Sequence, residues 1–427
     1  MHASSVHTIE NLLYFTLLQL IVVVGAARLF GWLARRVGQP RVIGEIIAGL
    51  VLGPSLFAAL APDTFNYVFK STDGLAVSII SQLGLILLMV QVGMEFEFGV
   101  LRDRRNRAAA AFVSIAGIIA PFVLGTTIGY VSAPVLAPGG VVISYVLFCG
   151  VALSITAMPV LGRIMIEFEI TRTRLGTITI SSAAVNDVVG WILLAVVSAV
   201  IAGDLSPAGT SLHILALAGY VLLAFFVLRP LLRRLLDRVA TPTEPLSLNG
   251  LAIVLMFAFA SAIATYLIGV FAIFGGFVIG VLLHDRHAFV NAWRQRVAPL
   301  VNTLFLPVFF TFTGLRTNMI GLDSAELWLW CGAFVALAYL GKYGGCYVGA
   351  RLAGEPKDEA RTIAIMMNTR GLVELVVLNV GYDMGVIPQN VFTMLVLMAV
   401  ITTVTTAPLL RMWMPRIGHV IPAARDA

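Results

Sequence analysis

Thirteen apolar stretches, nearly all bounded by polar or basic residues, divide the chain. They run at 12–34, 42–60, 75–98, 108–133, 142–164, 175–202 and 211–232, then at 247–267, 270–283, 297–315, 326–350, 361–382 and 389–412. A helix of about 20 apolar residues crosses a bilayer, so the pattern predicts an all-α polytopic membrane protein with about thirteen transmembrane helices. The boundary at 267–270 is the narrowest, because only Ile268 and Gly269 separate two apolar runs.

An odd number of spans allows two copies of six, approximately 12–202 and 247–412, inserted in opposite directions and joined by a linker helix at 211–232. Inverted repeats of this kind underlie many secondary transporters, with the binding site where equivalent discontinuous helices meet. The fifth span of each half carries a breaker. In the first it is Ser154-Ile-Thr156-Ala-Met-Pro159, where Pro159 cannot donate to the helix ladder. In the second it is Asn368-Thr369-Arg370-Gly371, polar residues inside an apolar run. A lone Pro also simply kinks helices, and Thr156 could bond back to a carbonyl one turn earlier. The matching positions in the two halves favour broken backbone, which at membrane depth must line a cavity or be buried in protein.

Charge fixes the orientation. With the N-terminus outside, one set of loops holds Arg35, Arg36 and Arg41, then Arg102 to Arg107, Arg163, Arg172 and Arg174. That side continues with Arg233, Arg234, Arg238, Arg286, Arg294, Arg296, Arg351, Lys357, Arg361 and Arg416, whereas the opposite loops hold Lys70 and Arg316. The positive-inside rule then puts the C-terminus in the cytoplasm of a cell-membrane protein. Only 12% of the 427 residues are charged and 59% are hydrophobic, against about 25% charged in soluble domains. The net charge of +6 therefore speaks for membrane topology and not for nucleic acid; lipid is the expected surrounding partner. Residues 1–7 lack the basic region of a cleaved signal, so the first span is expected to be retained. Cys149, Cys331 and Cys346 lie far apart in apolar runs and form neither a disulfide framework nor a zinc spacing.

Asn186 and Asp187 sit mid-span, with no other ionisable side chain between Arg174 and Asp204. A carboxylate at the bilayer centre costs about 2.5–3.5 kcal/mol on insertion scales, so it implies a bound ion or proton, a water path or a partner. The bland reading is a helix-gluing Asp. Burial raises the proton affinity of such a carboxylate. Asp187, the Asn186 amide, the Thr156 hydroxyl and freed carbonyls could together hold a monovalent cation. Proton and cation would compete for the same oxygens, and binding either would neutralise the carboxylate. Lys342, in Leu340-Gly-Lys-Tyr-Gly-Gly-Cys346, is the lysine deepest in an apolar span. It reads either as an ion-pair partner of Asp187 in the empty site, or as a structural or snorkelling lysine. Arg370 and Glu374 are one turn apart and can meet on one face, bracing the broken helix together with Ser154 and Pro159. Glu45 reads as a vestibule charge or a partner of Arg41, and Glu95 and Glu97 as partners of the Arg102–Arg107 cluster.

Four stretches carry a family resemblance: Gly44-Glu-Ile-Ile-Ala-Gly-Leu-Val-Leu-Gly-Pro54, Ser154-Ile-Thr-Ala-Met-Pro159, Ala183-Ala-Val-Asn-Asp-Val-Val-Gly-Trp191 and Asn368-Thr-Arg-Gly-Leu-Val-Glu-Leu375. With them the chain resembles the monovalent cation:proton antiporter superfamily, in the branch with potassium-efflux proteins and plant cation/proton exchangers. The resemblance implies a core domain around two crossed discontinuous helices, a separate dimerisation domain and hence a homodimer. It also implies that Asp187 is the shared proton and cation ligand beside Thr156, and that Lys342 is the basic residue opposite it. Potassium-efflux relatives carry a soluble regulatory domain after the membrane part. None is expected in this chain, so either regulation is absent, a separate cytoplasmic regulatory subunit or domain supplies it, or the sequence is a piece of a longer protein. Asn-Asp usually accompanies electroneutral exchange in the family, whereas Lys342 resembles the lysine of the electrogenic type.

Competing functions leave these features unexplained. No phosphate-binding Gly-x4-Gly-Lys-Ser/Thr loop occurs, so no cofactor is expected and an ion gradient must supply the energy. Val380-Gly-Tyr-Asp383 lacks the second glycine of a potassium filter. A cation channel is the alternative, but it gives no role to the core carboxylate and paired breakers. An intramembrane hydrolase would need a base for Ser181 or Ser182, and no intramembrane His is present. The chain is therefore expected to be a transporter and not an enzyme.

Overall fold

The computed structural model describes residues 2–71, 74–94, 104–170, 173–202, 207–239 and 246–419. Glu95, Glu97 and Arg102, expected to pair, lie outside the described residues. Among the described residues every regular element is helical. This is what hydrocarbon demands, because a helix satisfies its own backbone donors and acceptors.

Eight helices are long and apolar enough to cross a bilayer: Ile9–Arg36, Leu75–Met94, Asn106–Leu136, Arg174–Ile201, Ser211–Val239, Leu248–Leu267, Ala298–Arg316 and Gln389–Ile417. A ninth crossing forms if Lys357–Met367 and Leu372–Asp383, which meet at a 44° bend, count as one span. Val142–Ser154 and Ala272–Leu283 are apolar but shorter. By length and composition the described helices thus support eight or nine crossings, and the expected thirteen is not established. The difference has a physical source. Several of the predicted intervals are built from half-length helices: 142–164 is interrupted after Ser154 and 42–60 after Leu52.

The chain forms two compact units, each drawing on both halves of the sequence. The first comprises Met1–Ala26, Phe57–Glu97 and Ala195–Phe312. Its helices approach closely where side chains vanish. A Cβ on Gly280 would stand 2.2 Å from the Val90 carbonyl, and one on Gly93 would stand 2.3 Å from that of Phe277. Ser261 Oγ donates to the Gly275 carbonyl at 2.8 Å and bonds to the Tyr220 hydroxyl. At one end, Asp285 accepts from Arg229 at 3.0 Å and from Arg233, and Arg286 pairs with Asp237 at 2.5 Å.

The second unit comprises Ala27–Leu56, Phe98–Leu194 and Thr313–Ala427 and holds every candidate site residue. Its relevant helices are α1 (Arg104–Leu136), α2 (Val142–Ser154), α3 (Met158–Glu167), α4 (Arg174–Ala202, in this unit as far as Leu194), α5 (Gly345–Leu352), α6 (Lys357–Met367), α7 (Leu372–Asp383) and α8 (Gln389–Val404). A π-helical turn, Leu340–Gly344, leads into α5. Gly341, Gly345 and Gly349 recur every fourth residue and form a stripe against α1. Cβ atoms there would stand 2.7 Å from Pro121 Cα, 2.5 Å from the Ala116 carbonyl and 2.5 Å from the Phe112 carbonyl. Small residues at this spacing let membrane helices pack backbone to backbone. Glu45 is buried and pairs with Arg41 at 3.2 Å.

Candidate cation site

The first broken span is α2 followed by α3. Helix α2 stops at Ser154, Ile155 is extended (φ −71°, ψ 145°), and α3 begins at Met158. Pro159 falls in the first turn of α3, where its missing N–H costs no helical bond. A helix end leaves its last four carbonyls without intrahelical donors, and here all four are met by side chains. Ser154 Oγ donates to Val151 O at 2.9 Å, and Arg370 donates to Ala152 O at 3.0 Å and Leu153 O at 2.6 Å. Lys342 Nζ completes the set by donating to Ser154 O at 2.5 Å. Two buried cations therefore face the negative end of one half-helix dipole.

The second broken span is α6 followed by α7. Gly371 turns the chain with φ 142° and ψ −119°, a conformation side chains rarely adopt. Arg370, just before it, is wholly buried and pairs with the equally buried Glu374 at 3.0 Å. Glu374 lies in the first turn of α7, where helix dipoles favour a carboxylate. Thr403 of α8 fixes the Arg370 backbone. Its hydroxyl accepts from Arg370 N at 3.0 Å and shares its proton between the carbonyls of Arg370 (2.9 Å) and Ala399 (2.8 Å). The two breaks touch directly, because Ala157 N donates to Thr369 O at 3.1 Å.

Helix α4 carries Asn186 and Asp187, each only 1% exposed. One turn on, a Cβ at Gly190 would stand 3.1 Å from Ile155 Cγ1, so this part of α4 packs on the first break. The Asn186 amide is satisfied when Nδ2 donates to Ser114 O at 3.2 Å and Oδ1 accepts from Lys342 Nζ at 3.1 Å. Lys342 also donates to Gly117 O at 2.9 Å, so α1, α2 and α4 meet at one ammonium group. That group is wholly buried and does not snorkel. Asp187, Arg370 and Glu374 lie within its electrostatic reach, but its hydrogen bonds all go to carbonyl oxygens, including that of Asn186. Asp187 thus shares the electrostatic surroundings of the Lys342 ammonium.

Of the residues singled out in the sequence, Ser154, Asn186, Lys342, Arg370 and Glu374 come together in this hydrogen-bonded cluster. Thr156 lies in the first break with its hydroxyl buried, and Asp187 lies beside Asn186. Among the described residues no group of three or more His, Cys, Asp or Glu could hold a metal ion. Ser114, Gly117 and Thr403 escaped sequence reasoning. Thr403 had a signal: the run Thr402-Thr403-Val404-Thr405-Thr406 is polar inside an apolar span. A backbone carbonyl such as that of Gly117 leaves no trace in sequence.

Comparison with known proteins agrees with this architecture. The sequence profile described as "Sodium/hydrogen exchanger, transmembrane" matches residues 23–412. The chain is 38% identical over 411 residues to "Na(+)/H(+) antiporter NhaS4" of Synechocystis sp., covering 96% of this chain and 99% of that protein. It is 38% identical over 404 residues to "Cation/H(+) antiporter 17" of Arabidopsis thaliana, covering 94% of this chain and 48% of the relative. It is 31% identical to "K(+)/H(+) antiporter 1" of Saccharomyces cerevisiae, covering 88% and 44%. The chain therefore spans about half the length of these plant and yeast relatives. The solved sodium/proton antiporter MjNhaP1 of Methanocaldococcus jannaschii shares the fold, with a TM-score of 0.65 at 14% identity over 96% of this chain and 98% of that one. The chain is a multi-pass membrane protein and belongs to the sodium/hydrogen exchanger family, within the monovalent cation:proton antiporter superfamily.

Proposed function

We propose that the chain exchanges protons for Na+ or K+ at the Asp187 carboxylate, by alternating access and without net charge movement. The observation that carries this reading is the junction of the two broken helices at Ala157 and Thr369, on which the Asp187 region of α4 packs. Asp187, Asn186 and Thr156 supply oxygen ligands of the kind a hard cation requires. Because proton and cation use the same carboxylate oxygens, one must leave before the other binds, and exchange is obligatory. Relatives named for sodium and for potassium support keeping both ions in the proposal.

The Lys342 ammonium has three N–H donors and three carbonyl acceptors, at Gly117, Ser154 and Asn186. This supports a lysine that stays charged through the cycle. The proton-loaded and cation-loaded states then carry the same charge, which makes exchange electroneutral. Inverted repeats over approximately 12–202 and 247–412 would supply the two-sided access. The arginine asymmetry supports a cell-membrane protein with its N-terminus outside and C-terminus in the cytoplasm; the family likeness supports a homodimer.

The test is proton flux in proteoliposomes driven by sodium or potassium gradients. Wild-type protein should show cation-dependent proton movement in both directions, and Asp187→Asn should abolish it while inserting and folding normally. Retained exchange in well-folded Asp187→Asn would overturn the reading, and an uncoupled cation current in the wild type would favour a channel.

A further inference from the structure

We infer that Thr369 is a further ligand of the transported cation, so that each broken helix gives the ion one hydroxyl. The inference rests on the Asp187 reading above and extends it to the second break. Threonine hydroxyls inside helices ordinarily donate to a carbonyl three or four residues back. Those of this chain do so repeatedly: Thr179 to Leu175 O at 2.8 Å, Thr402 to Met398 O at 2.8 Å and Thr406 to Thr402 O at 3.1 Å. Among the described residues, two threonine hydroxyls are buried with no hydrogen-bond partner, Thr156 Oγ1 and Thr369 Oγ1. Both residues are wholly buried. They occupy equivalent places, one in each break, and the Ala157 to Thr369 backbone bond of 3.1 Å holds the two segments side by side. A buried polar group left without a partner is costly and calls for an explanation.

The cluster around them narrows that explanation. The last four carbonyls of α2 are already taken by Ser154, Arg370 and Lys342, so they have donors other than a cation. The ion must therefore find its oxygens further along the break. Thr156 stands two residues beyond Ser154, and Thr369 adjoins this segment through the backbone link to Ala157. Hydroxyl and carbonyl oxygens can replace the hydration shell of a monovalent cation. A second fixed hydroxyl would also set the size of the site, and so its preference between Na+ and K+.

The test uses the full chain in proteoliposomes and in detergent, comparing wild type, Thr369→Val, Thr369→Ser, Thr156→Val and Asp187→Asn. Two quantities are read: the half-saturating Na+ and K+ concentrations for proton flux, and the rise in melting temperature on adding each cation. Thr369→Val should raise the half-saturating concentration about tenfold, the factor that one lost ligand interaction corresponds to. It should also shrink the cation-induced rise in melting temperature, as Thr156→Val does. Thr369→Ser should restore both to within about twofold. Should Thr369→Val not fold, Thr369→Ala takes its place with the same expectations. Wild-type half-saturation and thermal response in Thr369→Val, with Asp187→Asn inactive, would overturn this inference alone. Normal exchange by Asp187→Asn would remove the reading on which it rests, and the inference with it.

Discussion

Arg370 Nη2 donates to the Leu153 carbonyl at 2.6 Å, across 217 residues of sequence. The side chain of one break thereby caps the helix that ends at the other. Its Nη1 reaches Ala152 O and Glu374 Oε1, both at 3.0 Å. Arg370 therefore acts as a fastener between the two discontinuous helices, and Glu374 balances its charge.

Removing that guanidinium should cost more than neutralising its partner. Arg370→Met leaves two carbonyls and a carboxylate buried without their donor, a loss of about 3–5 kcal/mol by analogy with broken buried pairs. Glu374→Gln keeps an oxygen for Arg370 and should cost about 1–3 kcal/mol. Thermal unfolding of both purified variants in detergent measures the order. Equal losses would mean that the carbonyl caps contribute little.

Two adjacent glycines should respond in opposite ways. A Cβ on Gly345 would stand 2.5 Å from the Ala116 carbonyl, whereas one on Gly344 would meet nothing within 4 Å. Gly345→Ala must push α5 off α1 and should destabilise by about 1–3 kcal/mol. Gly344→Ala should be neutral or stabilising by up to about 1 kcal/mol, through reduced backbone freedom. Melting temperatures of the two variants decide it, and similar losses would contradict the stripe.

Much of this was legible in the sequence, and the illegible part has definite causes. Pro159 and the polar run Asn368–Gly371 locate both breaks because either one interrupts a periodic apolar helix. The spacing of Arg370 and Glu374 reveals their pairing, since four residues make one turn. The same spacing cannot reveal that Arg370 also serves Ala152 and Leu153, because backbone carbonyls have no residue signature. Lys342 was legible as a deep charge. Its contact with Asn186 depends on how α1 and α4 approach through Gly117 and Ser114. The number of crossings is not established for a related reason: hydropathy measures apolar length, and a broken span has the same apolar length as a whole one.

Asp285 gives a pH-dependent contribution outside the membrane. Burial alone would raise its carboxyl, but the Arg233 hydrogen bond and the charges of Arg233 and Arg229 outweigh it and hold the group below its ordinary value. A carboxyl lowered in the folded state adds stability that is fully present above its unfolded value and is lost as pH falls through the folded one. Asp285→Asn should therefore melt lower than wild type at pH 7, and the gap should close on acidification below about pH 4. At 39% exposure the pair is screened, so added salt should also narrow the gap. A gap independent of both pH and salt would show that the effect is not ionic.

The count of protons per cycle turns on Lys342. An ammonium offers three donors to the carbonyls of Gly117, Ser154 and Asn186. A neutral amine has two, so losing its proton would leave one buried carbonyl unmet, at about 1–3 kcal/mol. It would also point a lone pair at an oxygen. Asn186 cannot titrate, and Glu374 is held at 3.0 Å by the permanent charge of Arg370. On the proposed reading Asp187 accounts for one proton per monovalent cation, and the expected outcome is that no net charge crosses. In proteoliposomes transporting sodium or lithium, potentials of either sign clamped with valinomycin should leave the exchange rate unchanged. Sodium or lithium is the required cargo because potassium would act both as clamp and as substrate. A rate that scales with the imposed voltage would show that Lys342 releases its proton in each cycle. The three carbonyls would then be a resting arrangement and not one kept throughout transport.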